Sequence, residues 1–262
     1  MRTYEARLTE LHITAGEKNI ASPAAWIDCP PAAVPAPGQY LLAYSPADPL
    51  AAVGTVLFRS EDFSGLEPER RGFLAAPPLP ISWTPGARLV VRGPLGHGFD
   101  LSGQRLALAA LGDTAARLLP LARQALQRGD AVTLFTDAPL AALPAAIEIY
   151  PLESLPEAPG WVDCLAIDLP LEALPVLRAR LGLKREERVM CPAQILVVTP
   201  MPCSGLAECG ACAVPISGTL TSAVRPKAVS RRSATGWRAQ GRSPYWLACL
   251  DGPVFDLNEL EW

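Results

Sequence analysis

The chain reads as an α+β, multi-domain protein: an N-terminal antiparallel β-barrel, an α/β domain on a parallel sheet, and a small cysteine-bearing C-terminal domain. Three observations predict this. Residues 1–100 hold short apolar segments broken by Pro- and Gly-containing turns. Residues 101–199 alternate apolar strand-length runs with helically spaced stretches. Residues 200–262 turn to cysteine, glycine and loop. A chain of 262 residues can bury a core and is long enough for one large or two to three small domains.

The barrel strands are expected at "YEARLTELHI", "QYLLAYS", "AAVGTVLF" and "ARLVVRG", separated by segments such as "PPAAVPAPG" and "TPG". "RLALAAL", Arg105 to Leu111, opens the α/β region as a buried strand. Ala115, Leu118, Leu119, Ala122 and Leu126 then follow helical spacing. "AVTLFT", "AIEIY", "WVDCLAI" and "QILVV" supply further strands, with "LEALPVLRARLG" as a helical stretch between the last two. Pro120 and Pro175 fall inside the helical patterns, which predicts kinks or later helix starts.

Half the residues are hydrophobic, yet no apolar run is long enough to span a bilayer, so no membrane association is expected. The opening "MRTYEARLTE" lacks an apolar core of the signal-peptide kind, and a cytoplasmic location follows as the expectation. A net charge of −3 points neither toward nor away from nucleic acid. His12 and His97 are the only histidines, which leaves little material for a histidine-based catalytic centre. No nucleophile elbow, Walker loop or zinc-protease motif occurs.

The chemistry concentrates in "PCSGLAECGACAVP", Pro202 to Pro215, and in "WLACLDGPVF", Trp246 to Phe255. Cys203, Cys209 and Cys212 are spaced C-x5-C-x2-C, and Cys249 follows as a distant fourth. Reduced thiols so gathered read as metal ligands. A [2Fe–2S] cluster takes four thiolates, and plant-type ferredoxins use C-x4-C-x2-C plus one remote cysteine. Gly205, Gly210 and Ala211 let such a loop curl and aim N–H groups at sulfur. A tetrahedral zinc site stays the alternative, although zinc sites pair two short knuckles and Cys249 has no close companion. Cys29, Cys164 and Cys191 read as structural thiols.

"GPLGHGFDL" (Gly93 to Leu101), the cysteine loop and "ACLDGPVFDLNEL" (Ala248 to Leu260) together resemble the electron-transfer subunit of dihydroorotate dehydrogenase, of the ferredoxin-reductase superfamily. The resemblance implies an FAD-binding barrel, an NAD-binding α/β domain and a C-terminal [2Fe–2S] domain. It makes Cys203, Cys209, Cys212 and Cys249 the cluster ligands. It also sets Tyr40 of "PGQY", with Gly93, Gly96 and Gly98, beside the flavin. Such subunits pass electrons from NADH through FAD and the cluster to an FMN-containing catalytic subunit, so a hetero-oligomer is implied. The family has four residues between its first two ligands, where this chain has five, and its last ligand follows sooner.

The nucleotide motifs depart further. Where the family carries R-R-P-x-S, this chain offers Ala52, Val53 and Val56. The second flavin loop, G-x-G-T, falls on "FLAAPPLPISW", which has no glycine. Arg59 and Arg92 are the nearest stand-ins for the missing phosphate-binding arginine. FAD retention is therefore left open, at low expected occupancy. In the α/β region GGGxGxAP is replaced by "ALGDTAAR", where only Gly112 survives, and C-G-P-x-P-M by "IDLPLEAL". Asp113 reads as a helix N-cap that would repel a phosphate, and NAD(P)H is not expected to bind.

The functional expectation is an iron–sulfur subunit relaying electrons between a flavin and a partner flavoprotein. Its alternative is a non-redox structural or regulatory paralogue holding zinc or an inert cluster. Between Ala213 and Ala248 lie six basic residues and no acidic one. This insertion reads first as a loop, then as a docking surface for an acidic partner, and nucleic acid ranks well below both.

Overall fold

The computed structural model describes residues 2–12, 24–47, 54–63, 70–140, 142–184, 187–217 and 245–262. The central part of the basic insertion, together with Ala52 and Val53, lies outside the described residues. Six strands close an antiparallel barrel: β1 (Thr3–His12), β2 (Ala24–Asp28), β3 (Tyr40–Tyr44), β4 (Thr55–Ser60), β5 (Phe73–Ala75) and β6 (Arg88–Leu95). Their order around it is β1-β2-β5-β4-β3-β6. Each strand sends one large side chain inward, namely Leu8, Ile27, Leu41, Leu57, Phe73 and Leu89, and all six are buried. β2 and β5 were not expected. Burial alternates along β2, but Ala24, Ala25, Trp26 and Ile27 are all apolar by type and hide it, and β5 has only three residues.

A second sheet is built from β7 (Arg105–Ala110), β8 (Ala131–Thr136), β9 (Ile147–Tyr150), β10 (Cys164–Pro170) and β11 (Ala193–Val198). These five are parallel, in the order β9-β8-β7-β10-β11. β12 (Ala213–Pro215) and β13 (Tyr245–Leu247) pair with each other, and β14 (Val254–Asp256) adds antiparallel to β11. The central strands are mostly apolar because both faces are covered, with Asp168 and Thr133 among the buried exceptions. On β7, Leu106, Leu108 and Ala110 face the layer containing helix α1 (Leu119–Arg128). Ala107 and Ala109 face the opposite core. That second core joins sheet residues Ile167 and Ile195 to barrel residues Tyr40, Leu42 and Phe58, and to Cys212, Val214 and Cys249. Barrel, sheet and cysteine segment are thus sealed by one continuous apolar interior.

Both internal prolines act as expected. Pro120 occupies the first turn of α1, where its missing N–H costs nothing. Pro175 falls in a 3-10 turn at Leu171–Val176, and the short α2 (Leu177–Arg180) starts only after it. The expected N-cap at Asp113 does not form. α1 begins later, after Leu118, with no side-chain cap. The intervening turn uses Thr114, whose Oγ1 accepts the Ala116 N–H at 3.0 Å, while Asp113 is exposed. Among the described residues no helix is long and apolar enough to cross a membrane.

Candidate functional site

β11 ends at Val198, and the chain runs through Thr199–Pro202 directly into the cysteine loop. The loop coils because four of its residues are left-handed: Ser204 (φ 52°), Gly205 (70°), Ala207 (62°) and Gly210 (69°). Ser204 and Ala207 pay about 1–2 kcal/mol each for a conformation that glycine adopts freely. The result is a concavity of backbone N–H groups, the kind of nest that binds anionic atoms. The N–H groups of Glu208, Cys209 and Leu206 address the Cys203 sulfur. That of Ala207 addresses Cys249, and the Ala211 N–H donates to Cys209 Sγ at 3.5 Å.

The four sulfurs stand as two pairs. Cys212 Sγ and Cys249 Sγ are 3.3 Å apart and buried. Cys203, half-buried, is within hydrogen-bonding reach of the exposed Cys209. Burial pushes the Cys203 thiol up, but the surrounding N–H groups and Cys209 outweigh it and hold it at about 7. Contact with Cys249 brings Cys212 down to about 6 against burial, and the same contact drives Cys249 up. Among the described residues, no three or more His, Cys, Asp or Glu side chains converge on a single metal position. The donor set, thiols met by inward N–H groups, nonetheless suits a soft, thiolate-held centre. Cys29, Cys164 and Cys191 are buried elsewhere, and burial pushes all three thiols up, the ordinary state of a structural cysteine.

The barrel holds this loop by two hydrogen bonds and the Cys249 segment by a third. Arg92 Nη2 donates to the Ser204 carbonyl, the Gly54 N–H donates to Ser204 Oγ at 3.1 Å, and Tyr40 Oη donates to the Cys249 carbonyl at 3.1 Å. Gly205 lies against Leu42, where a Cβ would meet Cδ1 at 3.0 Å. On the expectation that the loop holds a [2Fe–2S] cluster, replacing Arg92 by methionine frees the loop from β6 and should lower iron content after anaerobic reconstitution about twofold or more while the barrel still folds. Unchanged iron content would show the clamp to be dispensable.

Tyr40, Gly93, Gly96 and Gly98 are brought together, outside the lining of the cavity of about 340 Å³ between barrel and sheet. Tyr40 is buried under the cysteine segment, and burial drives its hydroxyl pKa up. Gly96 is where "GPLGHGF" meets "DGPVF": a Cβ there would sit 2.5 Å from both the Gly252 carbonyl and Pro253. The exposed His97 donates its N–H to Gly252 O at 2.7 Å. The two arginines nearest the missing phosphate-binding position each have a protein partner. Arg59 is paired with Glu61 at 2.9 Å, and Arg92 is committed to Ser204.

A cavity of about 340 Å³ opens between the barrel and the ends of the parallel strands. Val56 and the Ala76-Pro77-Pro78 turn line it, which are the positions where the flavin motifs were sought. Thr199, Met201 and Pro202 form the opposite wall, and Arg117 closes one side. Arg117 Nε lies 2.9 Å from Asp168, with the side chains 7% and 0% exposed, and Arg117 Nη1 donates to Pro77 O at 3.3 Å. Burial drives the Asp168 carboxyl above its ordinary range, and Arg117 opposes that shift. β7 and β10 are neighbours at the point where the strand order reverses, the usual nucleotide position of such sheets. Here "ALGDTAAR" and "IDLPLEAL" meet through this ion pair. Sequence reasoning singled out both stretches for what they lack. It missed the pair because Arg117 and Asp168 are 51 residues apart.

No protein-family model and no curated protein sequence matches the chain. Solved structures do. The ferredoxin reductase of carbazole 1,9a-dioxygenase aligns over 75% of this chain and 69% of its own, with a TM-score of 0.50 and 17% identity. The cytochrome P450 reductase GcoB of Amycolatopsis aligns over 75% and 70%, with a TM-score of 0.51 and 15% identity. The ferredoxin-NADP+ reductase of Plasmodium falciparum aligns over 71% and 91%, with a TM-score of 0.50 and 8% identity. The fold is therefore ferredoxin-reductase-like: a barrel of the FAD-binding kind followed by a nucleotide-type parallel sheet.

Proposed function

We propose that this protein is an electron-transfer subunit. It relays single electrons through a [2Fe–2S] cluster on Cys203, Cys209, Cys212 and Cys249, between a flavin in the interdomain cavity and a partner flavoprotein. The observation that carries this reading is a shared wall. Met201 and Pro202 line the cavity and lead straight into Cys203, while Gly54 lines it and bonds Ser204. A redox group in the cavity and one on the cysteines would be separated by little more than one layer of backbone.

The residues fit both groups. Each iron of a [2Fe–2S] cluster takes two thiolates, and the sulfurs stand as two pairs. The cavity has the size of a small-molecule site and a mostly apolar lining. When bound, the cluster supplies one-electron chemistry. The chain's part is to bury Cys212 and Cys249, direct N–H groups at sulfur, and leave Cys209 at the surface as the exit side. The buried Arg117–Asp168 pair occupies the nucleotide position, which supports an electron donor other than NAD(P)H. By the family resemblance, the partner is an FMN-containing catalytic subunit of the dihydroorotate dehydrogenase type.

Anaerobic purification followed by metal, sulfide and flavin analysis of one sample tests this. About two irons and two sulfides per chain are expected, with bound flavin and a reversible bleaching of the visible spectrum on reduction. One zinc and no iron would replace the relay by a structural role.

A further inference from the structure

The cavity presents a puzzle: its barrel wall lacks the polar residues expected of a flavin site, with Val56 and the glycine-free stretch Phe73 to Trp83 at those positions. Among the described residues, its other wall holds one buried polar atom without a partner, Thr199 Oγ1, and an arginine, Arg117, whose Nη2 has no acceptor. Arg117 is 7% exposed and is held by Asp168 through Nε and by Pro77 O through Nη1. Among the described residues nothing accepts a hydrogen bond from its Nη2. Thr199, 6% exposed, keeps its Oγ1 buried without a partner. Both residues line the cavity. Buried polar atoms almost always find partners, and leaving one unmade carries a real cost.

We propose that Arg117 and Thr199 form the recognition edge of this cavity. They take over from the barrel the task of binding the oxygen- and nitrogen-bearing edge of a planar heteroaromatic ring, the isoalloxazine of a flavin. This rests on the flavin reading above. The ligand chemistry follows from the lining. Val56, Phe58, Pro77, Val198 and Met201 suit a flat apolar body. One fixed cation suits an oxygen that gains negative charge when the ring is reduced. Free phosphate offers a charged oxygen too, but no apolar face to match that lining. Asp168 is a positioning residue: it grips Nε and so leaves the Nη edge of the guanidinium for the ligand.

The test is flavin titration of the full chain, followed by fluorescence quenching, with FAD, FMN and riboflavin as probes and inorganic phosphate as competitor. Wild type is expected to bind all three flavins with similar affinity, and phosphate not to compete. Arg117→Met/Asp168→Leu exchanges the pair for apolar side chains and should bind each flavin about 10- to 100-fold more weakly. Any flavin it does retain should show a lower midpoint potential, which a purely structural role would not produce. Thr199→Val, which is nearly isosteric, should weaken binding severalfold. Unchanged affinity and potential in these variants would overturn the inference while leaving a flavin in the cavity. Riboflavin failing where FMN binds, or competition by phosphate, would assign the contact to a phosphate and overturn it. No flavin binding by wild type would overturn both the inference and the reading beneath it.

Discussion

Cys249→Ser is expected to reduce iron from about two per chain to near zero and to abolish the visible absorption of the reconstituted protein. The sulfur of Cys249 lies 3.3 Å from that of Cys212, and the Ala207 N–H points at it. A serine oxygen replaces a soft thiolate with a hard, poorly ionised hydroxyl, the wrong donor for an iron–sulfur centre. The backbone consequence is small, because Tyr40 binds the carbonyl of residue 249 and not its side chain. The metal-free variant should therefore melt close to the metal-free wild type, which separates loss of a ligand from loss of packing. Cys29→Ala, which empties a thiol buried inside the barrel, should leave the iron content as it was. Full iron and an unaltered spectrum in Cys249→Ser would remove this cysteine from the ligand set.

Asp168→Leu should produce the largest loss of stability. Asp168 is fully buried and Arg117 nearly so, and their ion pair links β10 to the segment before α1. Removing one partner leaves a charge in the interior without compensation, which costs about 3–5 kcal/mol. For a chain of this size that corresponds to a melting point lower by roughly 10 °C. Replacing both members by apolar side chains of similar volume is often neutral. Thermal melts of Arg117→Met, Asp168→Leu and the double variant form a cycle that measures the coupling. The double variant is expected to recover most of the loss. If Asp168→Leu melts with wild type, the pair contributes nothing to folding.

Local signals were legible where they were strong. "RLALAAL", "AVTLFT" and "QILVV" are apolar over most of their length because both faces of the parallel sheet are covered. Four barrel strands showed themselves as apolar-rich segments between turns, while the run of apolar letters in β2 hid its alternation and β5 was too short to show one. Asp113 carries the residue type of an N-cap, but the turn through Thr114 and the position of Pro120 moved the helix start beyond it. The left-handed Ser204 and Ala207 gave no warning, since neither residue type favours that conformation.

By itself, then, the sequence determined the succession of the longer strands and α1 and the placing of four thiols in one C-terminal segment, because periodicity and spacing are properties of neighbours along the chain. Tertiary structure alone decided what those parts form together. Tyr40 reaches Cys249 across 209 residues, and Arg92 reaches Ser204 across 112. Arg117 meets Asp168 only because β7 and β10 lie side by side. The cavity exists because barrel and sheet close against each other, and its two recognition groups come from separate segments, Arg117 from the turn before α1 and Thr199 from just past the end of β11. Contacts of that kind are set by packing between distant segments, and no local pattern of residues encodes them.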